Sequence, residues 1–96
     1  MTVSLPGQLA ATSLGRSSAV RIVDLGLGGA RVTPPGLLSA GVSVRLAVDA
    51  PDRWDPLILD ARVAWIRGDE AGLAFEHSSG RTVRALVEVI SQHGYD

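Results

Sequence analysis

The sequence contains no cysteine and no lysine, and only 4% of its residues are aromatic. The absence of cysteine excludes disulfides, thiolate metal sites and a cysteine nucleophile, and we expect a cytoplasmic protein because nothing in the chain requires an oxidising compartment. Nine arginines stand against ten carboxylates, which gives a formal net charge of -1. Since this balance leaves no broad cationic surface, we expect the chain not to bind DNA or RNA.

Long uninterrupted apolar segments are also missing. The first fifteen residues carry no charged side chain, but they have no basic start and Pro6-Gly7 interrupts them. We therefore interpret them as neither a signal peptide nor a membrane span. The chain still has 46% hydrophobic residues over 96 positions, which is enough apolar surface for one compact core. We expect a single domain over residues 1–96 that does not associate with membranes.

Glycine and proline separate short runs in which apolar and polar residues alternate, and this pattern is typical of an all-β protein. The longest run predicts one apolar face that contains Leu57, Leu59, Ala61, Val63 and Trp65. Arg67-Gly68-Asp69-Glu70 has the composition of a hairpin turn. Six strands are predicted, at approximately residues 3–12, 19–25, 30–33, 42–48, 57–66 and 72–76.

The period of the apolar residues changes after His77. A stripe with helical spacing follows, formed by Val83, Leu86, Val87 and Ile90. Ser78 or Ser79 is placed to cap the start of this helix, and Gly94 is placed to end it. Six short antiparallel strands followed by one C-terminal helix predict a small barrel or curled sheet that the helix closes at one end.

A cluster of three glycines separates the second and third predicted strands, at Gly26, Gly28 and Gly29. Such a cluster indicates a backbone that adopts positive φ or is closely approached by another group. Successive backbone amides in a turn of this kind can bind an anion, and Arg21, Asp24 and Arg31 stand beside it. A carboxylate and a guanidinium also match the hydrogen-bonding edges of guanine. The alternative is a tight hairpin in which the glycines are purely structural.

Taken in order, these segments resemble the PilZ domain family of bacterial receptors for cyclic di-GMP. In that family a barrel hairpin carries Asp or Asn, any residue, Ser, two residues and Gly, and Asp24-Leu25-Gly26-Leu27-Gly28-Gly29 follows this pattern except at Gly26. Ala61-Arg62-Val63-Ala64-Trp65 is similar to the family's Val-x-Trp strand, and Gly72-Leu73-Ala74-Phe75 to its Gly-hydrophobic-x-Phe strand. The resemblance spans about residues 3–92 and implies a six-stranded antiparallel β-barrel with one C-terminal α-helix.

Two departures from the family pattern bear on ligand binding. Members that bind the nucleotide have an Arg-x-x-x-Arg motif before the first barrel strand, whereas the first arginine here is Arg16, and Gly26 replaces a serine hydroxyl. Cyclic di-GMP carries two phosphate charges, so the loss of two arginines removes charge-assisted hydrogen bonds of about 1.5–3 kcal/mol each. The resemblance therefore implies an adaptor that contacts a bacterial signalling or motility protein, with weak or absent nucleotide binding.

The alternative is a functional cyclic di-GMP receptor whose missing arginines come from a partner subunit or a longer N-terminal segment. Its candidate ligand residues are Arg21, Asp24, Gly26, Gly28, Gly29 and Arg31. No other cofactor is expected. Asp49, Asp52 and Asp55 recur in a segment with two prolines that we interpret as a solvated loop rather than a metal site. No catalytic motif is present, so we do not expect an enzyme.

Two candidate surfaces could contact a partner protein or a second copy of the chain. Arg53 and Trp54 lie in a predicted loop, and these residue types are frequent in binding hot spots. Trp54 could instead fold back over the mouth of the barrel. Ala85 and Val89 add apolar area on one flank of the predicted helix, which a partner could cover.

Overall fold

The computed structural model describes residues 1–12, 17–36, 38–51, 54–76 and 79–94. Its elements in chain order are β1 (Thr2–Ala11), β2 (Ser17–Leu25), β3 (Gly29–Thr33), β4 (Ser43–Val48), β5 (Leu57–Arg67), β6 (Glu70–Phe75) and α1 (Gly80–His93). The six strands and the helix confirm the elements predicted from the sequence, with strand ends that differ by one or two residues.

The six strands form one closed barrel in the order β1-β2-β3-β6-β5-β4. Every neighbouring pair is antiparallel, and β1 closes the barrel by pairing with both β2 and β4. The predicted six-stranded antiparallel barrel with a C-terminal helix is therefore confirmed. Closure leaves no strand edge without a hydrogen-bonding partner, so any binding site has to use the outer wall, the loops or the helix.

Alternate residues of each strand fill the barrel with aliphatic side chains. Along β5 the buried residues are Leu57, Leu59, Ala61 and Val63, while Ile58, Asp60 and Arg62 are exposed. Among the described residues no polar or charged side chain is buried. The interior therefore offers a nucleotide no hydrogen-bonding partner.

The alternation along β5 ends at Trp65. The pairing of β5 with β6 shifts register between Val63 and Trp65, which is the signature of a β-bulge. Trp65 was predicted to share the inner face with Val63, and this prediction is wrong. The extra residue turns the indole to the outer wall, where it covers Gly72. Ala71 and Leu73 on either side of Gly72 belong to the core, so Gly72 itself faces outward.

The ends of α1 match the predicted caps. The Ser79 side chain accepts a hydrogen bond from the Thr82 amide at 3.2 Å, and the Gly94 amide donates to the Ile90 carbonyl at 2.8 Å. Ser78 lies outside the described residues. Within the described part of the chain, no helix is both long enough and apolar enough to cross a lipid bilayer.

The stripe that the helix buries overlaps the predicted stripe at Leu86 and Ile90. Leu86 is fully buried as expected, but Val87 is 47% exposed and Val89 is only 2% exposed. The prediction that Val89 contributes to a partner surface is therefore wrong, and Ala85 packs partly against the core. Apolar residues occupy more than one side of this helix, so their spacing alone does not determine which side faces the barrel.

Candidate functional site

A pocket of about 430 Å³ lies on the outer wall of the barrel, where β2, β3, β6 and β5 are neighbours. Four of the predicted ligand residues line it, namely Asp24, Gly26, Gly29 and Arg31. Residues that were not predicted for this site complete the lining, and they include Met1, Trp65 and Gly72. The glycine turn and the outer face of β5 and β6 thus belong to one site.

Asp24 lies near the end of β2, directly across from Arg31 in the β2–β3 pairing. Its Oδ1 accepts a hydrogen bond from the ammonium of Met1 at 3.0 Å, and its Oδ2 is 3.9 Å from Nη2 of Arg31. The same ammonium also donates to the carbonyl of Leu25 at 3.1 Å. Both oxygens of the Asp24 carboxylate therefore already have a cationic neighbour.

Arg31 is the one arginine among the described residues that line the pocket. Its guanidinium lies between two carboxylates, since Nη1 is also 3.9 Å from Oε1 of Glu70. Its Nε is buried and has no hydrogen-bond partner within the structure. The guanidinium thus lies between two acids, and its unpartnered Nε donor is enclosed by the protein.

The glycine turn is compact and uses its own polar groups. The Gly26 amide donates to the Gly29 carbonyl at 2.9 Å, and the Gly28 carbonyl accepts from the Phe75 amide at 2.9 Å. A Cβ on Gly29 would overlap the carbonyl of Leu73, whereas a Cβ on Gly28 would meet open space. The glycine cluster was explained either by positive φ or by the close approach of another group. The close approach applies at Gly29, and the approaching group is the carbonyl of Leu73.

Two of the predicted ligand residues do not line the pocket. Arg21 pairs with Thr33 at the far end of β3, and its Nη1 donates to Oγ of Ser4 on β1 at 2.8 Å. It precedes Asp24 by three residues, or roughly 10 Å along an extended strand. Gly28 is also absent from the lining. Both residues were predicted as ligand residues because they are close to Asp24 in sequence. Arg21 lies too far along the extended strand β2 to reach the pocket.

Trp65 forms an aromatic wall of the pocket. Its ring lies over Gly72, and a Cβ at that position would overlap the indole. The guanidinium carbon of Arg67 is 5.3 Å from the centroid of the ring, which is within the range of a cation–π contact. The sequence contained one signal for this arrangement, because an indole is large for the interior of a narrow barrel.

The predicted partner surface around Trp54 lies away from this pocket, in the loop between β4 and β5. Trp54 is 101% exposed, so it does not fold back over the barrel. Arg53 lies outside the described residues. The loop also provides no metal site in the part of the chain that the structure describes.

The sequence model of the PilZ domain matches residues 3–92. The chain therefore belongs to the PilZ domain family, a family of cyclic di-GMP receptors whose members are binding and signalling modules. The six-stranded antiparallel barrel and its C-terminal helix agree with the resemblance found in the sequence. A search of curated protein sequences found no match.

Solved structures share the fold at low sequence identity. The PilZ domain of CeSA from a cellulose-synthesizing bacterium has a TM-score of 0.78 at 18% identity, over 96% of this chain and 94% of that chain. The Bacillus subtilis inhibitor of motility, MotI/DgrA, has a TM-score of 0.76 at 19% identity, and the match covers 96% of this chain and 47% of that chain. The PilZ domain of Escherichia coli YcgR with c-di-GMP has a TM-score of 0.73 at 18% identity, and the match covers 97% of this chain and 88% of that chain.

The packing of Trp65 on Gly72 can be tested by Gly72→Ala. The added methyl group has to displace the indole, so we expect a loss of about 1–3 kcal/mol in the free energy of unfolding and a changed near-UV circular dichroism signal from Trp65. Gly28→Ala is the matched control, because its methyl group meets open space, and it should change stability by less than about 0.5 kcal/mol. Equal stabilities for the two variants would contradict this packing.

Proposed function

We propose that this PilZ domain is a signalling module that acts through contact with another protein and binds cyclic di-GMP weakly or not at all. The observation that carries the proposal is the charge balance of the pocket. The pocket and the adjoining β5–β6 hairpin contain the carboxylates of Asp24, Asp69 and Glu70 and the guanidinium groups of Arg31 and Arg67. The site is therefore net negative by one charge, or neutral once the ammonium of Met1 is included.

A doubly anionic ligand needs more positive charge than this site offers. Each charge-assisted hydrogen bond to a phosphate contributes about 1.5–3 kcal/mol. Arg31 is already shared between Asp24 and Glu70, so a phosphate would have to compete with two carboxylates for it. The Gly26 amide already donates to the Gly29 carbonyl within the turn. Gly26 also has no side-chain hydroxyl that could donate to a ligand instead.

One observation favours a second candidate, a cyclic di-GMP receptor that takes its arginines from a partner subunit or a longer N-terminal segment. Asp24, Arg31 and the Trp65 ring converge on one pocket, and they could serve the amino edge, the carbonyl and the ring face of a guanine.

Contact with a protein is supported by Trp54. An indole that is fully exposed contributes nothing to the core and leaves a large apolar surface in water. Tryptophan is enriched in binding hot spots because one side chain buries a large area with little loss of conformational freedom. The exposed position therefore fits an anchor for a partner.

Titration calorimetry with cyclic di-GMP tests the nucleotide half of the proposal. We expect no saturable heat below about 100 μM ligand, because the one described arginine that lines the pocket is already paired with Asp24 and Glu70. Asp24→Ala removes an acid beside Arg31 and should not weaken binding, and the control Asp55→Ala should give the same result as the unmodified chain. A micromolar dissociation constant that is lost in Asp24→Ala but kept in Asp55→Ala would establish the receptor candidate instead.

The second half of the proposal, contact with another protein, predicts that Trp54→Ala keeps the fold and weakens the capture of a partner. The free energy of unfolding should change by less than about 0.5 kcal/mol, since the indole is fully exposed. A protein retained from a bacterial lysate by the immobilised domain should be lost with Trp54→Ala and kept with Val87→Ala, which trims another exposed apolar side chain. Retention that is the same for both variants would remove Trp54 as the anchor.

A further inference from the structure

We infer that a second copy of the chain packs antiparallel against the outer side of α1 and forms a weak symmetric dimer. The inference goes beyond the proposed function and does not depend on it. It concerns a surface that we name the α1 outer face, formed by Arg84, Val87, Glu88 and Ser91, which are all exposed.

The rotation of α1 turns this face away from the barrel. A helix turns about 100° per residue, so Arg84, Ser91 and Glu88 lie on one side of the helix, within about 100° of Val87. The two buried residues of the helix, Leu86 and Val89, lie on the opposite side. The face therefore belongs to one straight element, and α1 itself separates a helix packed against it from the barrel.

Val87 is the apolar centre of the α1 outer face, and it is 47% exposed. In an antiparallel pair whose two-fold axis passes beside Val87, the valines of the two copies contact each other. Val83 then lies next to Ser91 of the second copy, because each is four residues from the centre. These side chains are small enough for the helix axes to approach to about 8–10 Å.

The charged residues of the face are complementary under this symmetry. Arg84 precedes Val87 by three residues and Glu88 follows it by one, so Arg84 of one copy lies about 3 Å along the axis from Glu88 of the other. The two central acids are thus flanked by two guanidinium groups. A parallel pair would instead place Arg84 beside Arg84.

Both charges are available for such a contact. Among the residues that the structure describes, neither Arg84 nor Glu88 forms an ion pair. The other titratable residue in the second half of α1, His93, follows Leu86 by seven residues and therefore lies on the barrel side. The charge of the α1 outer face is thus set by Arg84 and Glu88.

The first turn of α1 also favours an antiparallel neighbour. It contains Arg81 and no acidic residue, although the positive end of the helix dipole favours an acid at this position. An antiparallel helix brings the negative end of its own dipole beside this turn, and that end attracts the guanidinium of Arg81.

The dimer should be weak because the contact is small. The helix has 14 residues and is about 21 Å long. One pair of such helices buries less area than the roughly 1,600 Å² of a standard interface. We therefore expect a dissociation constant of about 10–100 μM.

Sedimentation equilibrium of the chain, at concentrations from about 5 μM to 1 mM, measures this association. Val87 and Ile58 are both 47% exposed, one on the helix and one on β5. Val87→Ser should raise the dissociation constant of the dimer at least about tenfold, whereas the matched control Ile58→Ser should leave it unchanged.

Exchange of the two charges tests the antiparallel arrangement. Arg84→Glu alone and Glu88→Arg alone place like charges across the pair, so each should raise the dissociation constant about tenfold. An equimolar mixture of these two variants should form a heterodimer at least as tight as the unmodified dimer, because every charge on one chain then meets its opposite on the other. Circular dichroism checks that each variant keeps its helix.

Four outcomes would overturn the inference. They are a monomer at about 1 mM, a dimer that Val87→Ser does not weaken, a dimer that Ile58→Ser or Trp54→Ala weakens equally, and a mixture of the charge variants that stays monomeric. None of these outcomes bears on the calorimetry with cyclic di-GMP or on the capture experiment, so this inference can fail while the proposed function stands.

Discussion

The central interaction of the pocket is the position of the Arg31 guanidinium between the carboxylates of Asp24 and Glu70. Three strands create this position, because β3 lies between β2 and β6 and its Arg31 faces an acid on each neighbour. Both ion pairs are long and partly exposed, so they contribute little to stability. Their effect is on charge, since the one described guanidinium that lines the pocket is already compensated by carboxylates. A phosphate that enters the pocket meets two carboxylates as well as one cation.

Because the described side chains inside the barrel are aliphatic, a ligand or a partner has to bind on the outside of the barrel. The pocket uses the outer wall of β2, β3, β6 and β5. The exposed Trp54 in the β4–β5 loop is not among the residues that line it. Members of a receptor family can in this way retain the fold while the ligand pocket and the partner surface change separately.

Much of the architecture could be predicted from the sequence because local patterns determine it. Alternation in β4 and β5, the hairpin at Gly68-Asp69 and the caps Ser79 and Gly94 each depend on neighbouring residues, and the structure contains all of them. The pairing of Asp24 with the glycine turn was also local, and both line the pocket.

The features that the sequence did not predict depend on contacts between distant segments. The bulge that turns Trp65 outward arises from the register between β5 and β6, and alternation alone cannot locate it. The burial of Val89 rather than Val87 depends on how the helix rotates against the barrel. Arg21 was grouped with Asp24 by proximity in sequence, whereas its side chain binds Ser4 on a different strand.

The most direct test of the account is the dissociation constant of cyclic di-GMP for Glu70→Arg. This substitution removes one of the two acids beside Arg31 and adds a cation, so the site becomes positive. If charge limits binding, the affinity should rise at least about tenfold over the unmodified chain. Glu88→Arg makes the same change of net charge on the helix and should have no such effect. An affinity that is the same in all three proteins would contradict the claim that pocket charge decides ligand binding.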